Sequence, residues 1–244
     1  MDIIVYDFDK TIYGGETGTD FLVFYMKKNP KKIFLFSIGF VKDALLFLFK
    51  KIKLKELKGR YFKFLSNESV DEIEELVKEF WKKRESKVYK WIPDEIIENK
   101  KETDYIIVIS ASPLFLIDSF VKKLGFTHAF GTIMETEERN GKKYYLPKVV
   151  GENCKNVEKV KVINRWAKEE GIKYKIIKFY SDSIMDKPLF DIAEKKYWIK
   201  KWKENRGNSV KRNNNWQNIS IVKINIKKEA TRYVVKKIIN RHKI

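Results

Sequence analysis

Apolar and polar positions follow two different rhythms along this chain. Ile3-Ile4-Val5-Tyr6 is an uninterrupted apolar, β-branched run, which reads as a buried strand. It ends in Asp7, Asp9 and Gly14-Gly15. Tyr105-Ile106-Ile107-Val108-Ile109 and Tyr174-Lys175-Ile176-Ile177-Lys178-Phe179-Tyr180 repeat the pattern, and Lys196–Ile199 extends it to a fourth strand. Between residues 20 and 100 the apolar positions instead recur at helical spacing. Breaks at Asn29-Pro30, Gly59, Ser66-Asn67 and Pro93 divide this block into about four helices. Ser69-Val70-Asp71-Glu72 has the form of a helix start, with a carboxylate three residues after the serine. A further helix follows the second strand and closes at Gly125, and another runs from Val157 to Glu170. Asn140-Gly141 predicts a hairpin between Thr132–Glu137 and Lys143–Leu146.

Strands separated by helices predict an α/β fold, a Rossmann-like, doubly wound parallel sheet. In such sheets the ligand crevice lies beyond the carboxyl ends of the strands. Asp7, Asp9, Ser110 and Asp182 each follow a predicted strand, so groups far apart in sequence are expected to converge. Asp186 adds a fourth carboxylate. Acids crowded in this way repel one another unless a cation sits among them. Mg²⁺ suits them, because it takes oxygen ligands from a few carboxylates and a substrate phosphate. With the Ser110 hydroxyl and a lysine, the set describes a phosphoryl-transfer site.

Three segments carry a family resemblance. Asp7-Phe8-Asp9-Lys10-Thr11 resembles the DxDx(T/V) signature of the haloacid dehalogenase-like (HAD) superfamily. Ile109-Ser110-Ala111-Ser112 is similar to its second motif, and Tyr180-Ser181-Asp182-Ser183-Ile184-Met185-Asp186 to its fourth. Order and spacing agree over roughly residues 1–200. Asp9-Lys10-Thr11 also matches the phosphorylation tripeptide of P-type ATPases, but here Asp7, not Asp9, directly follows the strand. The resemblance implies Asp7 as nucleophile and Asp9 as general acid and then base. It implies Ser110 as a phosphoryl contact and Mg²⁺ held by Asp7, the Asp9 carbonyl and Asp182, with Asp186 behind them. For the third-motif lysine, the Gly-x-x-Lys-Val pattern of related phosphatases selects Lys159, although Asn156 stands where they carry glycine. The placement in phosphoserine phosphatases favours Lys155 instead; Lys159 is the preferred assignment.

The helical block at 20–100 falls where subfamily I members of the phosphoserine-phosphatase-like branch insert a cap, which excludes water and selects substrate. The core would then be 1–19 and 101–202. Gly14-Gly15-Glu16-Thr17 resembles the Asn-Asn-Glu-Thr of phosphoserine phosphatases, making Glu16 a candidate for a substrate amine. Arg60 is a candidate for a substrate carboxylate, and Ala111 joins Ser110 in the substrate pocket. A second resemblance, to phosphatases related to phosphatidylglycerophosphatase C, points to a lipid phosphate. The apolar stretch Ile33–Phe49 is 17 residues long and contains Lys42 and Asp43, too short and too polar to span a bilayer. It reads as a packed cap helix or as an interfacial helix facing an acidic membrane.

Composition adds one feature. The 244 residues hold 52 Lys+Arg against 33 Asp+Glu, a formal charge of +19. Residues 195–244 contribute 16 of those bases and 2 of the acids, so +14 belongs to the last fifth of the chain. This basic extension (203–244) predicts a strand around Ile219, Ile221, Ile224 and Ile226. A basic helix is expected over Lys228–His242, with Ala230, Tyr233, Val234 and Ile238 on one face. No nucleic-acid fold signature accompanies the charge. The lone Cys154 fits a reducing compartment, and the N-terminus lacks the basic and apolar regions of a signal peptide. These features predict a cytoplasmic protein, with peripheral membrane contact through the cap or extension left open. A Mg²⁺-dependent phosphomonoesterase acting on a small metabolite such as phosphoserine is the expected activity. Its rivals are a lipid-phosphate phosphatase and a non-catalytic anion- or membrane-binding module on the same fold.

Overall fold

The structure, a computed structural model, describes residues 1–66, 68–201 and 219–223. Among these, seven strands form one sheet in the order β4-β3-β2-β1-β5-β6-β7. The strands are β1 (Asp2–Tyr6), β2 (Ile106–Pro113), β3 (His128–Arg139), β4 (Lys142–Val150), β5 (Lys175–Ser181), β6 (Lys195–Lys201) and β7 (Ile219–Lys223). β3, β2, β1, β5 and β6 run parallel, while β4 and β7 are antiparallel edges. The polar termini of the three central strands therefore meet on one rim.

The unbroken apolar runs have a direct cause. In β1, Ile4 and Tyr6 pack into one hydrophobic cluster while Ile3 and Val5 pack into another on the opposite face. Both faces are covered, so no position in the strand is left to be polar. The first face carries α4 (Val70–Arg84), α5 (Ile92–Lys100) and α6 (Leu114–Leu124), along with the buried side of α1 (Thr17–Lys28). The second carries α7 (Val157–Glu169) and α8 (Lys187–Ile192). A polar network crosses the first layer. Lys178 Nζ donates to Asn99 Oδ1 and to Glu102 Oε1, both at 2.6 Å, while Asn99 Nδ2 donates to the Tyr6 hydroxyl at 2.5 Å.

Between β1 and β2 lie α1, α2 (Pro30–Leu48), α3 (Leu54–Tyr61), α4 and α5. That is one helix more than the periodicity indicates: the break falls at residues 49–53 and not at Gly59, which lies inside α3, and Pro93 sits inside the first turn of α5 instead of ending a helix; proline is well tolerated there. The hairpin is longer than predicted. Asn140 and Gly141 take φ values of +50° and +73° at its tip, and pairing continues out to Ile133 and Val150. β2 also runs through Ser110 to Pro113 instead of stopping before the serine. Of the strand predicted in the basic extension, Ile219–Lys223 forms β7, which pairs with β6, while Ile224 and Ile226 lie outside the described residues. The basic helix expected over Lys228–His242 lies outside the described residues. Among the described residues no helix is long and apolar enough to cross a membrane.

α4 starts with a complete capping box. The Ser69 hydroxyl accepts from Glu72 N, and Glu72 Oε2 accepts from Ser69 N at 2.7 Å. Ser69 is itself buried and bridges to Tyr144 of β4, so the cap anchors the helical insertion where it meets the hairpin. Ser69→Ala is expected to lower stability by about 1 kcal/mol in urea denaturation. An unchanged midpoint would mean that packing, not the cap, fixes the start of α4.

Candidate active site

β1 delivers Asp7 to the rim, and Asp7 N donates to Tyr180 O of β5 at 2.9 Å. The chain then turns sharply. Lys10 takes φ +61°, and the amides of Thr11, Ile12 and Tyr13 all donate to Phe8 O. This turn brings Thr11 back under the strand end. Its hydroxyl lies 3.3 Å from Asp7 Oδ2 and accepts from Asp182 N at 3.0 Å. One threonine thus ties the first acidic loop to the loop after β5.

Asp9 is held differently. Its Oδ1 accepts from Thr17 N at 2.9 Å and from the Thr17 hydroxyl, at the first residue of α1. Its Oδ2 accepts from Ser112 Oγ at 2.6 Å. Burial raises the Asp9 carboxyl above the ordinary aspartate range, while the hydrogen bonds from Ser112 and Thr17 oppose that rise.

Lys159, in the first turn of α7, sits at the centre. Its Nζ donates to Asp7 Oδ1 at 2.7 Å and to Asp186 Oδ2 at 2.8 Å, and Asp186 Oδ2 also accepts from Ser181 Oγ at 2.8 Å. Lys159 is 2% exposed, whereas Lys155 faces solvent. Of the two lysines weighed from the sequence, the fold brings Lys159 to the acids. Burial opposes its charge, but Asp7 and Asp186 overcome that and raise its pKa. Burial pushes Asp7 up to about 7, opposed by Lys159 and assisted by Asp186. Asp182 is pushed up to about 6, mainly by burial. One buried ammonium among three crowded acids leaves their charge under-compensated.

Among the described residues no three His, Cys, Asp or Glu side chains close into a ready-made metal cage. The groups present are all oxygen donors short of positive charge. That suits a cation which takes few protein ligands and completes its shell with water and substrate oxygen.

The remaining candidates divide. Ser110 is 1% exposed on the inner rim, and its Oγ accepts from Ser112 N at 3.0 Å. The Ala111 carbonyl faces the helical insertion and accepts from Lys58 Nζ. Glu16 stays near the acidic loop, ion-paired with Lys10, and both are about half exposed. Arg60 is not brought to the acids. It pairs with Asp43 of α2 at 2.8 Å, because α3 points it along the insertion. Lys58, two residues earlier and on nearly the opposite face of α3, is the residue of that helix that reaches the core. Besides Ala111 O, its Nζ donates to Asn153 Oδ1 at 2.7 Å and Thr132 Oγ1 at 3.1 Å. Burial lowers it to about 8, against Cys154 and Asp9. Gly59 permits the approach, since a Cβ there would stand 2.5 Å from Pro147 O of β4. Sequence reasoning missed Lys58, Thr17 and Ser112 as site residues. The Thr11 hydroxyl counted only as part of a motif.

Residues 4–191 match the family model of the haloacid dehalogenase-like hydrolases, and the chain belongs to that family. None of the curated proteins matches it. Among solved structures it is similar to a protein of unknown function from Bordetella pertussis Tohama I, at 18% identity and TM-score 0.65, over 78% of this chain and 86% of that one. It is similar to a phospho-aspartyl intermediate analogue of phosphoserine phosphatase, at 20% identity and TM-score 0.51, over 80% and 84%. A phosphoserine phosphohydrolase-like protein from Francisella tularensis subsp. tularensis SCHU S4 is similar at 17% identity and TM-score 0.51, over 80% and 86%. At these identities the likeness shows a shared fold.

Asn156 explains one departure from the motif of related phosphatases. It precedes α7 with φ +55° and ψ −129°, a conformation that suits glycine, and its Oδ1 is buried without a hydrogen-bond partner. Asn156→Gly is expected to raise stability by about 1 kcal/mol by relieving that backbone strain; a loss would show that the asparagine is compensated elsewhere. Lys159→Met leaves Asp7 and Asp186 buried without their ammonium. We expect a loss of about 3–5 kcal/mol in metal-free denaturation at neutral pH, and a loss under about 1 kcal/mol would remove the ammonium from its structural role.

Proposed function

We propose that this hydrolase is a Mg²⁺-dependent phosphomonoesterase working through an aspartyl-phosphate. The observation that carries the reading is Asp7 on the rim with Lys159 on one oxygen and the Thr11 hydroxyl near the other. Those contacts fix the carboxylate's direction and leave it partly neutralised, as a positioned nucleophile requires.

Asp7 attacks phosphorus, forming the Asp7–phosphoryl bond as the bond to the leaving oxygen breaks. Asp9 gives that oxygen a proton; its raised pKa is the property an acid needs near neutral pH. Asp9 then takes a proton from the incoming water, whose oxygen bonds to phosphorus and releases phosphate and free Asp7. Ser110, buried beside Ser112 N, offers a hydroxyl to a phosphoryl oxygen. When bound by the Asp7 and Asp182 carboxylates and the Asp9 carbonyl, Mg²⁺ supplies charge neutralisation for the phosphoryl group. Asp186 acts through Lys159.

The helical insertion bounds the crevice, and we assign it the part of a cap that selects substrate. Glu16 lies close enough to the acidic loop to meet a cationic group of a small phosphorylated metabolite such as phosphoserine. The pairing of Arg60 with Asp43 argues against a free carboxylate receptor at that position. The similarity of fold to a phospho-aspartyl intermediate analogue of phosphoserine phosphatase supports phosphate-ester chemistry. A non-catalytic module is disfavoured, because each acid, hydroxyl and ammonium that the reaction needs is in place.

Hydrolysis of p-nitrophenyl phosphate is expected with Mg²⁺ and not with EDTA, and Asp7→Asn is expected to abolish it. Mg²⁺ is also expected to raise the melting temperature of the metal-free protein, since the ion binds only the folded acids. Parental activity in Asp7→Asn would sink the covalent mechanism, and a melting temperature blind to Mg²⁺ would sink the metal assignment.

A further inference from the structure

From Ile38 onward the outward face of α2 is apolar. Ile38, Val41, Leu45 and Leu48 recur at helical spacing, followed by Phe49, and they are 58%, 57%, 48%, 71% and 73% exposed. An insertion helix packed on its neighbours normally turns such a stripe inward. Here the inward contacts are of another kind. Asp43 pairs with Arg60 of α3, and the Phe40 ring packs edge-on against Tyr61 with centroids 6.1 Å apart. Ile38, Val41, Leu45 and Phe49 form a shallow groove with Leu46, bordered by Lys42 and Lys51. Large contiguous apolar patches of this kind mark interaction surfaces.

The charges around the patch select the partner. Lys27 and Lys31 before it, and Lys50, Lys51 and Lys53 after it, are exposed. The acid within α2, Asp43, is held by Arg60, so nothing acidic on the helix offsets the lysines at its ends. We propose that α2 is a membrane-docking helix that lies in the surface of an anionic bilayer, with its apolar stripe among the acyl chains and its flanking lysines at the headgroups. Lys42 sits beside the stripe and reaches the headgroups along its methylene stem. A lengthwise position is the one this helix can take, because it is not long and apolar enough to cross. A second copy of the chain fits poorly. A two-fold contact through α2 sets like against like and brings the lysine clusters of both copies together.

The surface is independent of the phosphatase reading, and the experiment keeps the two apart. The full chain is sedimented with phosphatidylcholine vesicles with and without phosphatidylglycerol. Binding is expected with the anionic lipid and not with phosphatidylcholine alone. Leu45→Glu/Leu48→Glu is expected to weaken binding about ten-fold or more, since it puts charge on the buried stripe. The same variant should keep the parental rate on soluble p-nitrophenyl phosphate. Should it fail to fold, Lys50→Glu/Lys51→Glu applies the test through charge instead, with the same loss expected. Asp7→Asn should bind vesicles like the parent, whatever its turnover. Parental vesicle binding by the α2 variants would overturn the proposal by assigning attachment to the basic extension. Failure of the parent to bind anionic vesicles would overturn it outright. A dimer that dissociates in Leu45→Glu/Leu48→Glu would assign the stripe to a second copy.

Discussion

Everything at the rim depends on one buried ammonium. Lys159 reaches Asp7 at the end of β1 and Asp186 in the turn after β5. These groups lie 152 and 27 residues away in sequence. In a water-poor interior two adjacent carboxylates repel strongly, and a cation between them becomes a structural part. The contact fixes where α7 starts relative to the sheet, and it accounts for the awkward backbone at Asn156. The chain must turn abruptly there for the first turn of α7 to aim its lysine inward. It also sets the character of the crevice. Lys159 balances part of the acid but not all of it, which leaves the crevice with an excess of buried carboxylate.

The helical insertion is joined to this centre by a second, weaker set of contacts. Gly59 lets α3 press against β4, and Lys58 then reaches the carbonyl of Ala111 in β2 and the side chains of Thr132 and Asn153. Thr17, opening α1, holds Asp9 from the other side. Movement of the insertion would therefore be felt at Asp9 and at the second-motif strand. α2 stands farther out, tied to α3 through Asp43 and Arg60, with its apolar side turned away from the protein. The insertion thus has one side that meets the acidic rim and another whose apolar residues face outward.

Legibility followed the length of the signal. The central strands were readable because burial on both faces leaves no polar position, and the α4 cap because a capping box is a local pattern. The three acidic and hydroxyl-bearing segments were readable because each follows the apolar run of a strand, even where, as at Ser110, the strand itself continues, and parallel strands gather these segments on one rim. Helix bounds in the insertion were less so, since Pro93 is equally compatible with a break and a first turn. Thr17, Ser112 and Lys58 escaped because serine, threonine and lysine are common on any surface, and no spacing distinguishes one that folds inward. Arg60 was misplaced for a related reason. Two positions on a short helix differ in direction, and it was Lys58 that pointed to the core.

By itself, then, the sequence determined the alternation of strand and helix, the family, and the acids available for chemistry. Periodicity and strand-terminal motifs are written in neighbouring residues, so they need no knowledge of the rest of the chain. Tertiary structure alone decided which lysine lies between Asp7 and Asp186, which hydroxyls hold Asp7 and Asp9, that Arg60 is spoken for, and that α2 faces outward. Thr11 and Thr17 lie only 4 and 8 residues from the acids they hold, but the decisive contacts join distant segments, Lys159 to Asp7 across 152 residues and Ser112 to Asp9 across 103. Such contacts depend on the relative placement of whole elements, which is set by packing and by charge burial and leaves no local mark in the order of residues.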